Sequence, residues 1–283
     1  MDVKDKTALI TGATSGIGRV TALDLARRGA LLVLPVRDPE KGAALKKEIA
    51  EKTGNASVEI LPCRLDSLES IRECAEAFKA KHARLHLLIN NAGTWETKRK
   101  ESVDGIEMNF AVNHLAPFLL TDLLLDTIKA SAPARIVSVS STAHKQATMN
   151  FNDLEGKKRW SSMRSYAQGK LANIFFTRKL AEELRDTGVT ANCLHPGVVR
   201  TRLFDKMPAL FQRIFGLFMI PPEKGAETTI YLATSPEVEH VTGGYFAKKK
   251  PAKTTRHARD MEVAEKLWQV SKEYCGLTET KNQ

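Results

Sequence analysis

Residues 7–19, "TALITGATSGIGR", place a short apolar segment directly before a glycine-rich turn. The apolar segment has the length of a buried strand, and the residues after the turn have the apolar spacing of a helix. The turn carries Gly12, Gly16 and Gly18, and glycine lets a backbone approach a phosphate closely. A helix that starts here offers free N–H groups and its positive dipole end to a pyrophosphate. This stretch therefore predicts a dinucleotide site.

The rest of the chain alternates short apolar runs with segments of helical apolar spacing. The predicted strands are 7–11, 31–36, 57–61, 86–90, 135–140 and 189–195. The predicted helices are 17–28, 39–52, 68–81, 104–130, 163–186 and 223–235, with a short C-terminal helix over 260–275. This alternation predicts an α/β fold with a doubly wound parallel sheet of about seven strands and helices on both faces. Without a repeat or a linker, we expect a single domain over 1–283, ending in a tail from about 247 to 283.

The net charge of +10 raises the question of nucleic-acid binding. The basic residues are scattered among acidic ones, and only residues 246–259, "FAKKKPAKTTRHAR", form a concentrated basic run. We therefore expect no nucleic-acid partner. The run is interpreted as a solvated tail, with attraction of an anionic cofactor as the functional alternative.

The cysteines and the apolar segments indicate the cellular compartment of the protein. The four cysteines lack C-x-x-C spacing, which argues against a zinc site and against a disulfide framework. No stretch approaches the roughly 18 apolar residues of a membrane span, and the chain runs from its start into a strand with no room for a signal peptide. We expect a reduced, cytoplasmic protein without a metal.

The end of the second predicted strand bears on the choice of dinucleotide. An NAD site usually has an acidic residue there, which holds the ribose hydroxyls. This chain has Val36 followed by Arg37, and the planar fork of an arginine pairs with two oxygens of a 2′-phosphate. The pattern favours NADP(H). Asp38 keeps NAD(H) open, and a surface pair between Arg37 and Asp38 is the structural alternative.

Tyr166 and Lys170 are four residues apart in a predicted helix, so their side chains share one face. In isolation this spacing is typical of a core tyrosine and a surface lysine. Here it occurs with five other motifs, which are "TGATSGIG" (11–18), "NNAG" (90–93), "NHLAPF" (113–118), "VSS" (139–141) and "HPGVVRT" (195–201). In this order and spacing the set resembles the short-chain dehydrogenase/reductase family, whose fold is a Rossmann fold. The extended similarity of 27–42, 165–184 and 221–246 looks closest to the retinol dehydrogenase-like branch.

The resemblance implies a catalytic set of Asn113, Ser141, Tyr166 and Lys170. Tyr166 would exchange a proton with the substrate oxygen, and because a free tyrosine has a pKa near 10, the Lys170 ammonium is expected to lower it. Ser141, rather than its neighbour Ser140, would hydrogen-bond the substrate oxygen. Asn113 would support a water relay, since Pro117 has no N–H for the Asn113 carbonyl; a plain helix kink is the alternative.

The resemblance also implies the cofactor contacts. These are Gly12, Ser15, Gly16, Ile17, Gly18, Arg37, Asn91, Ala92, Gly93, Tyr166, Lys170, Pro196, Gly197, Val198 and Thr201. One residue departs from the family pattern, because Arg64 stands where the family usually has an aspartate that holds the adenine amine. Either Asp66 substitutes after a local shift or the adenine is held differently.

Residues 202–222, "RLFDKMPALFQRIFGLFMIPP", are apolar and aromatic with few charges. We interpret them as a lid over the substrate, with a membrane-surface helix and an ordinary packed helix pair as alternatives. A lid of this kind indicates a small lipophilic alcohol, aldehyde or ketone as substrate. The expected function is hydride transfer between NADP(H) and that substrate, by a protein expected to be a homo-oligomer. A non-catalytic dinucleotide-sensing or scaffold protein on the same fold is the alternative.

Overall fold

The computed structural model describes residues 1–200 and 219–277. The strands are β1 Thr7–Ile10, β2 Leu31–Val36, β3 Val58–Pro62, β4 Leu87–Asn90, β5 Ala134–Val139, β6 Val189–His195, β7 Tyr245–Ala247 and β8 Lys250–Pro251. The helices are α1 Gly16–Arg27, α2 Pro39–Thr53, α3 Leu68–Lys81, α4 Met108–Phe110, α5 Ala116–Leu123, α6 Leu125–Lys129, α7 Ser162–Glu183, α8 Pro222–Thr234 and α9 Met261–Tyr274.

The described strands form one sheet in the order β3-β2-β1-β4-β5-β6-β7-β8. The first seven are parallel, and only β8 runs antiparallel to its neighbour. The predicted doubly wound α/β fold is confirmed, with eight strands where about seven were expected. Strands β7 and β8 have three and two residues, which is too short for a periodic apolar pattern to develop in the sequence.

Two apolar layers cover the sheet, one on each face. One contains Phe78 of α3, Phe118 of α5, Phe175 of α7 and Trp268 of α9. The other is built by α1, α2 and α8, and its buried side chains include Leu25, Ile49 and Leu232. With both faces buried, the strands read as continuous apolar runs, which is the pattern that made them visible in the sequence.

The order of strands reverses between β1 and β4. The helices that follow these two strands leave toward opposite faces, and in sheets of this type a crevice opens at the carboxyl ends of the strands. The segments that follow β1, β2, β4, β5 and β6 all lie along this edge, because the strands are parallel.

The expected helix 104–130 is wrong as a single element. It begins at Met108, where the Glu107 carboxylate accepts from the N–H of Phe110 at 2.9 Å. A π-helical turn occupies Ala111–Leu115, and the helix is interrupted again at Leu124 between α5 and α6. Pro117 has no N–H, so a regular ladder of i to i−4 hydrogen bonds cannot continue through it.

The C-terminal segment packs into the fold. β7 pairs with β6, and α9 packs against α7. Leu267 and Trp268 of α9 are 1% and 9% exposed, so this helix belongs to one of the two apolar layers. Among the described helices, none combines the length and apolarity that a membrane crossing requires.

Candidate active site

The glycine-rich turn after β1 leaves helical N–H groups unpaired. Gly12 and Gly16 have φ angles of +68° and +53°, in the left-handed region that favours glycine. A Cβ on Gly18 would lie 2.3 Å from the carbonyl oxygen of Gly12, so only glycine lets α1 start this close to the turn. Ser15 precedes α1, and its side chain makes no capping hydrogen bond. No described group accepts from the N–H of Gly16, Ile17 or Gly18, and the helix dipole favours an anion there.

Asn91 ties this turn to the end of β4. Its Nδ2 donates to the carbonyl oxygens of Thr11 at 2.9 Å and of Gly12 at 3.3 Å. The Thr11 hydroxyl oxygen accepts from the N–H groups of Asn91 and Ala92, both at 3.1 Å. The carboxyl ends of β1 and β4, which flank the crevice, are thereby held together.

Asn113 holds the next part of the same loop. Its Oδ1 accepts from the N–H of Thr94 at 2.8 Å, and its Nδ2 donates to the carbonyl of Thr94 at 2.9 Å. A Cβ on Gly93 would lie 2.8 Å from Asn113 Oδ1 and 3.1 Å from Lys170 Nζ. Only a glycine therefore fits between the two predicted site residues, which meet beneath an exposed backbone. That the Asn113 carbonyl holds a water stays a prediction.

Tyr166 and Lys170 lie on the buried face of α7. The ammonium of Lys170 is 5.8 Å from the centre of the Tyr166 ring and donates to the carbonyl of Val139 at 3.1 Å. Burial lowers the pKa of Lys170 to about 8. Burial also raises the pKa of the Tyr166 phenol to about 12, and a hydrogen bond from Ser141 opposes that rise. We expected Lys170 to lower this pKa, but burial of the phenol raises it above the ordinary value of a tyrosine.

The two serines at the end of β5 have different surroundings. Ser140 is 2% exposed, and its hydroxyl donates to the carbonyl of Lys170 at 2.7 Å, so it links β5 to α7. Ser141 is half-buried and precedes a 3₁₀ turn, where its Oγ accepts from the N–H of Ala143 at 3.2 Å. Of the two serines, Ser141 is the one whose hydroxyl lowers the pKa of the Tyr166 phenol. The structure thus brings Asn113, Ser141, Tyr166 and Lys170 to one end of the crevice.

Trp95 is a site residue that sequence reasoning missed. Its ring is stacked on that of Tyr166, with 4.6 Å between centroids and 9° between planes. Its Nε1 donates to the Ser162 hydroxyl at 2.8 Å, and that hydroxyl donates to the carbonyl of Glu96 at 2.6 Å. The available signal was an aromatic residue two positions after the "NNAG" motif, but nothing local connects it with a tyrosine 71 positions later in the chain.

Arg37 is exposed at the end of β2, and it forms no hydrogen bond or ion pair with any described residue. Asp38 does not pair with it. Instead, the Asp38 carboxylate binds the ammonium of Lys41 and accepts from the Lys41 N–H at 3.2 Å, as the N-cap of α2. The nearby Arg19 is engaged by both carboxylate oxygens of Glu48. The surface pair between Arg37 and Asp38 is therefore not formed.

Arg64 and Asp66 pair with each other at the end of β3. The Arg64 Nε and Nη2 donate to the two carboxylate oxygens of Asp66 at 3.3 Å and 3.2 Å. Between them, Leu65 lines a narrow crevice that Asn90, Ala92 and Val112 also line. The Asp66 carboxylate is thus already engaged by a cation, which argues against its replacing the missing family aspartate.

The segment after β6 closes the other end of the crevice. The His195 Nδ1 accepts from the N–H of Thr142 at 3.3 Å, which joins the ends of β6 and β5. Gly197 has a φ angle of +98°. Val198 is 38% exposed, and its carbonyl accepts from the N–H of Ile220 at 2.8 Å. The predicted contact Thr201 and most of the expected lid over 202–222 lie outside the described residues. No group of three metal-ligating side chains occurs in the described part of the chain.

Comparison with known proteins gives consistent matches. The family model for "short chain dehydrogenase" matches residues 6–209. Retinol dehydrogenase 12 of Mus musculus is 42% identical over 279 residues, which cover 98% of this chain and 88% of that protein. Retinol dehydrogenase 14 of Homo sapiens is 44% identical over 291 residues, covering 96% and 87%.

Solved structures agree with these matches. An uncharacterised protein from Mycobacterium paratuberculosis superposes with a TM-score of 0.80 at 32% identity, covering 97% of this chain and 96% of that one. A protein from Beutenbergia cavernae, described as an NAD(P)-dependent gluconate 5-dehydrogenase with bound NADP, has a TM-score of 0.72 at 28% identity, covering 87% and 96%.

Proposed function

Because this chain belongs to the short-chain dehydrogenase family, we propose that it transfers a hydride between NADP(H) and a small lipophilic alcohol, aldehyde or ketone. The observation that supports this most strongly is the meeting of four side chains at the edge of the sheet. Asn113 and Lys170 lie beneath Gly93, the Lys170 ammonium is 5.8 Å from the Tyr166 ring, and the Ser141 hydroxyl is close enough to lower the pKa of that phenol. A scaffold protein has no need for a buried lysine and tyrosine in this arrangement, since burying them disfavours their charged forms.

The residues fit a dinucleotide. The glycine-rich turn presents the unpaired N–H groups of α1 that a pyrophosphate needs, and Gly12 and Gly16 supply the left-handed backbone of that turn. Gly93 leaves the backbone open above Lys170, which would hold the ribose. Val198 and its neighbours would face the nicotinamide amide. The bound cofactor supplies the hydride.

Tyr166 would hold the proton that the substrate oxygen gains or loses. Its pKa of about 12 keeps the phenol protonated at neutral pH, which suits its role as the acid when a carbonyl is reduced. Ser141 would orient the substrate oxygen, since its hydroxyl already reaches the phenol. Lys170, whose pKa of about 8 leaves it mostly charged at pH 7, would favour phenolate when an alcohol is oxidised.

The preference for NADP(H) rests on the end of β2. Val36 cannot accept hydrogen bonds from ribose hydroxyls, and Arg37 is exposed and unengaged by the described residues. With Asp38 committed to Lys41 and Arg19 to Glu48, Arg37 is the cation best suited to a 2′-phosphate.

The proposal of a lipophilic substrate rests on apolar side chains in the segments that carry the candidate site. The Trp95 ring covers one face of the phenol. Met163, three residues before Tyr166 in α7, and Val198, in the segment after β6, are apolar side chains that are 39% and 38% exposed. The relatives named as retinol dehydrogenases act, by name, on an alcohol of this apolar kind.

The test is substitution of the phenol. Tyr166→Phe keeps the ring stacked on Trp95 and should lower kcat by about 10²–10⁴-fold, because proton transfer by a positioned group contributes about that much. NADPH affinity should change little. The measurement is carbonyl reduction followed by NADPH consumption, with NADPH fluorescence as the binding assay.

The matched control is Tyr231→Phe. It removes the hydroxyl with which Tyr231 donates to Glu237 at 2.8 Å. Tyr231 packs on the face of the sheet opposite α7. That variant should keep wild-type turnover. Near-normal turnover by folded Tyr166→Phe would remove Tyr166 from the mechanism, and NADPH binding without turnover of any carbonyl would favour the non-catalytic sensing alternative.

A further inference from the structure

The turn that joins β7 to β8 has two lysines in an unfavourable backbone conformation. Ala247 pairs with Lys250, so Lys248 and Lys249 are the two residues of the hairpin loop. Their φ angles are +51° and +60°. A two-residue hairpin with both residues in this region usually contains Asn-Gly, because the Cβ of other residues crowds the backbone. Unfavourable backbone of this kind often occurs where a residue serves binding.

The same hairpin begins a run of basic residues in the sequence. The sequence contains no acidic residue from His240 to Arg259. We call residues 248–259, which start with this turn, the basic hairpin, and its exposed cations are Lys248, Lys249, Lys250, Lys253, Arg256 and Arg259. Lys249 lies 3.6 Å from Glu227, and the other five form no ion pair with a described residue. The positive charge is therefore largely uncompensated by the part of the chain that the structure describes.

The basic hairpin lies at the edge of the sheet that carries the candidate active site. Ala247 of β7 is in register with His195 of β6, and the strands are parallel, so the turn projects beyond their carboxyl ends. It is too far from Arg37 to share a cofactor phosphate with it. β7 and β2 are five strands apart in the sheet, which corresponds to about 24 Å at a spacing of about 4.8 Å per strand.

The chemistry of the basic hairpin fits phosphate groups on a broad surface. Four of the six cations are lysines, which act as hydrated point charges without the bidentate geometry of arginine. The aromatic residues of β7, Tyr245 and Phe246, are 5% and 1% exposed, so they offer no platform on which nucleic-acid bases could stack. Clusters of four to eight lysines and arginines are typical of segments that bind anionic lipid headgroups.

We propose that the basic hairpin docks this protein on the surface of a bilayer that contains anionic phospholipids, with the catalytic edge of the sheet toward the lipid. The orientation rests on the proposed function, because a lipophilic substrate is concentrated in bilayers. The docking is electrostatic and reversible. It accounts for the two lysines in the turn, where charge is kept although asparagine and glycine suit the backbone better.

The test compares two variants of the full chain. Lys248→Asn/Lys249→Gly removes two charges and replaces the lysines with the residues that the turn prefers. Lys46→Gln/Lys47→Gln removes two charges from the exposed side of α2. Binding to sedimented phosphatidylcholine vesicles, with and without phosphatidylserine, is measured at low and at physiological salt. Wild type should bind only the vesicles with phosphatidylserine, and more weakly as salt rises.

The hairpin variant should bind about 25-fold more weakly than wild type, given about fivefold for each of the two lysines near an anionic surface. Its Tm should nevertheless be about 2–4 °C higher, because the backbone strain is relieved. The α2 variant should keep wild-type binding.

Equal binding by wild type and the hairpin variant, or equal binding to neutral vesicles, would overturn the proposal. So would tighter binding of a single-stranded oligonucleotide than of vesicles at the same salt. Tyr166→Phe should bind vesicles like wild type. Vesicle binding and turnover are therefore tested separately. Loss of the docking proposal would leave the proposed enzyme activity standing, and loss of the proposed activity would leave the docking proposal standing.

Discussion

At the end of β2, the Arg37 guanidinium is the cation that neighbouring carboxylates leave unengaged. Arg37→Ala should weaken NADPH binding about ten- to a hundredfold and leave NADH nearly unchanged, because a charge-assisted contact contributes about 1.5–3 kcal/mol. The measurement is kcat/KM for both cofactors at one ionic strength, since salt screens the contact. Arg27→Ala, at another exposed arginine, is the control and should not change the ratio.

Val36→Asp extends this prediction. The new carboxylate repels a 2′-phosphate and accepts from the ribose hydroxyls, so the preference should move further toward NADH. If Arg37→Ala weakens both cofactors equally, or if wild type favours NADH, Arg37 does not select the cofactor.

Trp95 affects the pKa of the tyrosine it covers. Trp95→Ala should admit water to Tyr166 and so lower its pKa, since burial is what raises that pKa to about 12. Alcohol oxidation needs the phenolate, so its rate rises with pH through the Tyr166 pKa. In Trp95→Ala that rise should occur at lower pH than in wild type, with a lower plateau because the ring is less well oriented.

Trp95→Phe provides the control for this prediction, since it keeps an aromatic ring against the phenol. It should retain most of the wild-type plateau and the wild-type midpoint. The measurement is the pH profile of kcat for oxidation with saturating cofactor. A loss of activity in Trp95→Ala with no change of midpoint would mean that the indole only packs the loop.

At the scale of elements, α9 supports the helix that carries the candidate catalytic tyrosine. Trp268 meets the Phe118 ring edge-on at 5.0 Å and is stacked on Phe176 of α7 at 6.0 Å. Trp268→Ala should lower the free energy of unfolding by about 3–5 kcal/mol, because it leaves a cavity in a close-packed layer. Urea denaturation measures this.

The control lies next to it in the same helix. Gln269 is exposed and hydrogen-bonds Glu265 at 2.7 Å, so Gln269→Ala should change the free energy of unfolding by at most about 0.5 kcal/mol. Similar losses in both variants would indicate that α9 contributes little specific packing.

At the scale of the whole molecule, one edge of the sheet gathers the proposed functions. The phosphate turn and Arg37 follow β1 and β2, the candidate catalytic set follows β4 and β5, and the basic hairpin follows β7. A parallel sheet produces this arrangement, because all its carboxyl ends meet at one edge. Cofactor, substrate and a lipid surface would thus be met by different strands of the same edge.

The local sequence was sufficient to predict those features whose pattern lies within one short segment. The strands 31–36 and 189–195 were predicted with the bounds that the structure has, because buried parallel strands are continuous apolar runs. The glycine-rich turn was visible because its backbone requires glycine at fixed positions. Asn113, Ser141, Tyr166 and Lys170 were named from motifs, and the structure brings all four together.

Tertiary structure decided what depends on residues far apart in the chain. The sequence alone shows that Arg37 and Asp38 are neighbours. Only the fold shows that Asp38 binds Lys41, while Arg37 forms no ion pair with a described residue. The stacking of Trp95 on Tyr166, the break in the helix over 104–130 and the incorporation of the C-terminal segment were likewise decided by packing. Periodicity and motifs report the local environment of each segment, whereas burial, pKa and ion pairing arise from segments that meet only after folding.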